Sequence, residues 1–196
     1  MLKVSETFRL RSERITLREV TPEDAAGPWA EWMRDAETLR YTEARFAEHT
    51  PASLRQYAES MHESADNIFL AILDEDGRHI GNIKLGPVNW RHSYADIGLI
   101  IGDKASWGQG YATEAIGLVR DFAFDSAGLH KVTAGIVSPN TGSMRAFEKA
   151  GFSLEGRRKD HNLFDGKWRD VILMGCVNPR WRPAQQDSES NRGTEG

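Results

Sequence analysis

The chain has 196 residues, 39% of them hydrophobic and 28% charged, with a formal net charge of −4. That length suits one domain with a sizeable core and is short for two. The acidic balance offers no basic footprint for nucleic acid, no apolar run approaches the roughly 18 residues that cross a bilayer, and the single cysteine excludes an internal disulfide.

In chain order, RITLREV at residues 14–20 alternates apolar and polar side chains and predicts a half-buried strand. Thr21 is placed to cap a helix, with Pro22 at its first position and Glu23 and Asp24 at its positive end. Pro28 breaks or restarts that helix, and Trp29, Trp32 and Met33 read as core at helical spacing. HTPASLRQYAESMHES repeats the Thr-Pro start at Thr50 and Pro51 and sets Leu54, Tyr57, Ala58 and Met61 on one helical face. NIFLAILDEDGRHIGNIKLGPV predicts a hairpin turning at DEDG, and SYADIGLIIG a further strand.

After the glycine-rich stretch GDKASWGQGYATEA, Tyr111, Ala115, Ile116, Val119, Phe122 and Ala123 trace one face of a helix that Gly128 stops. HKVTAGIV reads as a strand buried on both faces. PNTGSMRAFEKAG is a short helix capped near Asn140 and closed by Gly151, and GFSLEG and WRDVILMGCV are the last strands. Cys176, in an apolar strand, reads as a small buried hydrophobe rather than a nucleophile. A single domain is expected over residues 1–178, followed at 179–196 by a disordered tail whose only large apolar side chain is Trp181. Consecutive strands favour antiparallel pairing, and the strand–helix–strand unit around the glycines favours one parallel crossover. The fold class is therefore α/β, a mixed sheet with helices on its faces.

The glycines pose the functional question. Gly102, Gly108 and Gly110 precede a helix N-terminus, whose unpaired N–H groups and positive dipole end favour an anion such as phosphate. A P-loop fails, because Gln109 and Gly110 follow Gly108 where Lys and Ser/Thr belong. The dinucleotide fingerprint fails as well, with Thr113 at its third glycine.

WGQGYA at residues 107–112 resembles the acyl-CoA pyrophosphate loop of the GNAT N-acetyltransferases, Q/R-x-x-G-x-G/A, with Trp107 standing where Gln or Arg is usual. SPNTGSMRAFEKAGF resembles that superfamily's N-x-x-S/A segment, and FDGKWRDVILM the final strands of its RimJ/RimL-type branch. The resemblance spans residues 8–177. It implies a mostly antiparallel sheet with one splayed parallel pair and acetyl-CoA as cosubstrate. Transfer to a primary amine then occurs by direct attack in a ternary complex. Coenzyme contacts fall on Leu99, Ile100 and Ile101 of the splayed strand, on Trp107, Gly108, Gln109, Gly110, Tyr111, Ala112 and Thr113 of the loop, and on Asn140 and Ser143. Arg120 and Lys104 are further candidates for its phosphates. No metal, nucleic-acid or membrane partner is implied; a homodimer and a cytoplasmic location are compatible with it.

For chemistry, Ser143 takes the place of the general acid that hydrogen-bonds the sulfur, or else fills the first turn of its helix; Phe147 stands where many relatives carry tyrosine. Asp96 either takes a proton through water or holds a loop. The branch's glutamate corresponds to Asn162, which cannot act as a base; His161 beside it is of a residue type that can exchange protons but should face the other way along a regular strand. Tyr41, Glu43 and Arg45 are candidate acceptor contacts. A polyamine acceptor would want several carboxylates, which Glu43, Glu48, Glu59 and Glu63 can supply. The stretch DNIFLAILDEDGRHIGNIKLGPVNWRHSYADIGLIIG also resembles relatives that acetylate amino-sugar nucleotides. A small-molecule amine such as an amino sugar is thus expected, with a protein N-terminus as the alternative and a non-catalytic acyl-CoA sensor as a third reading.

Overall fold

The computed structural model describes residues 8–182. Its strands are β1 (Arg9–Arg11), β2 (Thr16–Glu19), β3 (Ile68–Leu73), β4 (His79–Asn89), β5 (Tyr94–Ile101), β6 (Lys131–Val137), β7 (Ser153–Phe164) and β8 (Lys167–Val177). The α-helices are α1 (Pro28–Trp32), α2 (Pro51–His62), α3 (Tyr111–Asp125) and α4 (Thr141–Lys149). The strands form one sheet ordered β1-β2-β3-β4-β5-β6-β8-β7, in which only β5 and β6 run parallel. That pair is joined through α3, as a strand–helix–strand crossover requires.

Local sequence accounts for most of these elements. Thr50 and Ser53 cap α2 reciprocally: each side-chain oxygen accepts from the other's backbone N–H, at 3.1 and 3.0 Å, just before Pro51. Asn140 caps α4, its Oδ1 accepting from Ser143 N at 3.1 Å. The helix predicted after Thr21 is instead a 3-10 turn over Pro22–Ala26, and α1 begins afresh at Pro28, which has no N–H to continue the earlier ladder.

Both faces of the sheet's centre are buried, whereas β7 at its edge is largely exposed. On one, Ile68, Leu70, Ile72, Ile83, Leu85, Ala95 and Ile97 pack against Ala115, Ile116 and Val119 of α3 and Phe147 of α4. On the other, Ala71 packs with Trp29, Trp32, Leu54 and Ala58 of α1 and α2. β3 alternates between the two cores, which fixes its register, since a one-residue slip would exchange every partner. Of the three glycines before α3, Gly102 belongs to this packing: a Cβ there would lie 1.9 Å from the Trp32 ring. Trp181, in the tail expected at 179–196, finds a partner, its ring centroid 4.7 Å from that of His130; residues 183–196 of that tail lie outside the described residues.

Candidate active site

The parallel pair opens like a fork. β5 and β6 are in register only at Tyr94↔Lys131, Ala95↔Val132 and Asp96↔Thr133. Beyond that point β5 stays laddered to β4 as far as Ile101, and β6 stays laddered to β8 as far as Val137. Each strand keeps its outer neighbour while the inner edges, residues 97–101 and 134–137, face a gap. Unpaired strand edges are ready partners for an extended ligand with amides of its own. Ile97, Gly98, Leu99 and Ile100 on one side and Ala134, Gly135, Ile136 and Val137 on the other line a cavity of about 690 Å³.

At the open end of β5 lies the glycine loop. Gly108 (φ +74°) and Gly110 (φ +91°) both hold left-handed backbone, which a side chain would strain. Unlike α2 and α4, α3 has no side-chain cap: its N-cap is Gly110 itself. Among the described residues, the backbone N–H groups from Gly108 to Thr113 have no protein acceptor. No atom lies within 4 Å of a Cβ built on Gly108. A row of free donors beside open space at a helix N-terminus is a nest for a polyanion. The loop is braced from outside. Trp107 Nε1 donates to Ile101 O at 2.8 Å, and Arg14 donates to Gln109 O at 3.1 Å and pairs with Glu114 at 2.8 Å. Tyr111 and Ala112 contribute backbone only; the Tyr111 phenol donates to Glu75 at 3.0 Å, a bond that with burial holds its pKa above the ordinary value.

Past the fork, Asn140, Ser143 and Phe147 bring α4 to the cavity wall. The Ser143 hydroxyl has no hydrogen-bond partner among the described residues, since only its N–H is used by the Asn140 cap. Phe147 is 2% exposed and packs edge-on against Phe152.

The opposite wall comes from the segment before α2 and from β7. Tyr41 stacks on Phe164 at 5.3 Å, and Glu43 Oε1 accepts from Asn162 Nδ2 at 3.3 Å. The resemblance predicts glutamate at residue 162; a carboxylate does reach this corner, supplied by Glu43 from 119 positions away in the chain. His161 and Asn162 both line the cavity, contrary to strict alternation. The register of β7 on β8 shifts between Arg158 and Asn162, with Asp160 at φ +46°, so a bulge re-aims the side chains. Asp170 holds that bulge, accepting from Asp160 N at 2.8 Å and pairing with Arg157. The Asp160 N–H bond and the Arg157 charge keep its carboxyl below the usual range.

Other expected residues lie elsewhere. Asp96 is outside the cavity lining and accepts from the Thr133 hydroxyl at the point where the fork closes. Arg45 turns away to stack over Phe46 and Phe164 and lines a neighbouring groove with Glu48. Arg120 donates to Ala150 O at the end of α4, and Lys104 is paired with Asp35 at 2.6 Å and Glu37 at 2.7 Å, so neither is a free phosphate contact. Cys176 lies outside the cavity, its thiol pushed up by burial. Sequence reasoning missed Lys84 and Arg158, both cavity-lining, and treated Trp29 as core only; it is 2% exposed, yet its face also lines the cavity. The signal for Lys84 was a charged residue alternating with Ile83 and Leu85 on what proves to be an interior strand.

A forked parallel pair with an uncapped glycine nest at its mouth defines an acyl-CoA-dependent transferase cleft. Residues 14–153 match the acetyltransferase (GNAT) domain, and the chain belongs to that family. It is 35% identical over 127 residues to a probable N-acetyltransferase, YjcK, of Bacillus subtilis, covering 64% of this chain and 70% of that one. In fold it is similar to the spermidine N-acetyltransferase of Vibrio cholerae in complex with CoA and spermine (TM-score 0.76, 21% identity, 85% of this chain and 97% of the other). It is equally similar to the ribosomal-protein-S5-alanine acetyltransferase of Vibrio fischeri (TM-score 0.76, 22% identity, 90% and 100%). The chain is thus an acetyl-CoA-dependent N-acetyltransferase. Equal likeness to a polyamine enzyme and a protein-acetylating one means that the fold carries the reaction and not the acceptor.

Proposed function

We propose that this enzyme acetylates a small-molecule primary amine, with an amino sugar as the model acceptor. The observation that carries this reading is the lining of the acceptor side. Trp29, Tyr57 and Phe69 pack together with ring centroids 5.3–6.4 Å apart, and with Tyr41, Glu43 and Asn162 they line the cavity with aromatic faces, one carboxylate and one amide, a set that suits a small amine. Acetyl-CoA supplies, when bound, an acetyl thioester that the amine attacks at carbon, leaving the amide and the free thiol. The free N–H groups of residues 108–113 bind its pyrophosphate, and the unpaired β5 edge at residues 97–101 orients its arm and polarises the thioester carbonyl from Leu99 or Ile100. Asn140 holds the end of α4 against the arm.

An amine of ordinary basicity arrives protonated at neutral pH. Glu43, the only carboxylate lining the cavity among the described residues, receives the ammonium and passes one proton to water. The Ser143 hydroxyl, free of protein partners, donates to the departing sulfur and recovers a proton from the attacking nitrogen, so charge balances overall. Asp96 acts at the fork by fixing Thr133 rather than on the amine.

A thiol-release screen tests the acceptor class by setting amino-sugar nucleotides, polyamines and short N-terminal peptides side by side. Turnover by small amines supports the reading; peptide turnover with no release from any small amine overturns it.

A further inference from the structure

The cavity's charge is lopsided. Among the described residues Glu43 is its only carboxylate and is already engaged by Asn162, whereas Lys84 and Arg158 both line it. Neither cation has an ion pair or a hydrogen-bonded partner among the described residues. Arg14, Arg18, Arg78, Lys104, Lys131 and Arg157 are each held by a carboxylate, and Arg55, Arg91 and Lys167 are exposed away from the cavity; Lys84 and Arg158 differ from both sets in lining it. Lys84 is half-buried and sits in the middle of a row that crosses three strands: Phe69 on β3 is its partner on one side and Gly98 on β5 its partner on the other. Nothing lies within 4 Å of a Cβ built on Gly98, so the floor beside Lys84 is open. Arg158 reaches the same cavity from β7, just before the bulge that Asp170 holds.

The other acids near this wall do not redress the balance. Glu59 and Glu63 are exposed on and after α2, outside the lining, and Glu48 belongs to the neighbouring groove. A polycation entering here would meet two unpaired positive charges for one shared negative one, which selects against it. Arg158 is exposed and Lys84 half-buried, so both stand unpaired in contact with water, and an oxyanion entering the cavity meets them without displacing a protein partner.

We propose that the acceptor is an amine that also carries an anionic group, a carboxylate or phosphate, which Lys84 and Arg158 receive while Glu43 meets the ammonium. The proposal deepens the small-amine reading above and rests on it. Guanidinium and ammonium donors bind such oxyanions through charge-assisted bonds, the fork of Arg158 giving direction and the Lys84 stem giving reach.

The test is calorimetric binding to the CoA-saturated enzyme of matched pairs that differ in the anion: glucosamine-6-phosphate against glucosamine, and β-alanine against β-alaninamide, with spermidine as the polycation. The charged member of each pair is expected to bind about tenfold or more tightly than its neutral partner, and spermidine more weakly than either charged compound. Lys84→Met, which keeps the aliphatic stem, and Arg158→Gln, at an exposed position, should each shrink the charged-to-neutral ratio severalfold. Added salt should shrink it as well. Spermidine binding as tightly as the anionic amines, an unchanged ratio in both variants, or no binding by any compound overturns the proposal. Anion-selective binding without acetyl transfer would keep the anion subsite of Lys84 and Arg158 but overturn both the acceptor proposal and the small-amine reading; transfer confined to neutral or cationic amines would overturn the proposal and keep that reading.

Discussion

Replacing Gly108 or Gly110 by valine tests whether the loop before α3 is built for a phosphate ligand. At φ +74° and +91°, a residue with a side chain costs roughly 1–2 kcal/mol in backbone strain alone. In the parent enzyme, acetyl-CoA at about 100 times its Kd stabilises the native state by about 2.7 kcal/mol. For a domain of this size that is roughly 5–11 °C in Tm. A valine at Gly108 projects into open space on the nest side, where no atom lies within 4 Å of its Cβ, and blocks the approach of the anion. Loss of two charge-assisted hydrogen bonds, roughly 3 kcal/mol at the low end, weakens binding about 160-fold. At the same concentration only about 0.3 kcal/mol of stabilisation remains, close to 1 °C. Strain and binding separate cleanly if Tm is measured with and without acetyl-CoA for each variant. Gly128→Val is the control: Gly128 has φ +67° and equally open surroundings, but lies beyond the other end of α3. It should lose stability and keep the full ligand shift. A full shift in both loop variants would refute the assignment of the nest to the coenzyme.

Ser143→Ala should lower kcat by about tenfold or more with little change in the coenzyme KM, because charge on sulfur develops in the transition state; an unchanged kcat would reduce Ser143 to a helix-turn residue. Cys176→Ser should retain most activity in steady-state assays, since the thiol lies outside the cavity and burial keeps it protonated. Stability should fall in two stages on acidification, read as urea midpoints against pH. Burial lowers the His79 pKa, so its contribution is complete above its unfolded value of about 6.5 and is lost as pH falls through the lower folded value. Asp170, also lowered, contributes fully above about 3.9 and is lost at still lower pH. His79→Gln should flatten the first stage and spare the second.

Much of the fold was legible because periodicity and punctuation agreed. Thr50-Pro51, DEDG and Gly128 sit at the boundaries they predict, and β3 and β6 read as strands from their apolar runs. Three residues of β1 are too few to display alternation. The charged run RRKDHNLF hid the second half of β7, where a bulge replaces a regular period. The nest was readable because it is one contiguous loop. The acceptor wall was not, because its contacts are long-range: Glu43 meets Asn162 across 119 residues, and Lys84 gains meaning only when β3 and β5 place Phe69 and Gly98 beside it. Arg45 illustrates the opposite error. Its neighbours in sequence enter the cavity, but the Phe46 and Phe164 rings draw its guanidinium away.

The most direct measurement follows the acetyl group itself. Acetyl-CoA labelled in the acetyl carbons is incubated with the enzyme and an amino sugar, and both the small molecules and the intact protein are weighed by mass spectrometry. Direct transfer within the forked cleft predicts label on the amine nitrogen as the acetamide, one equivalent of free thiol per product, and none on the protein at any time point. Label retained on the protein, or coenzyme that binds without acetylating any amine, would contradict it.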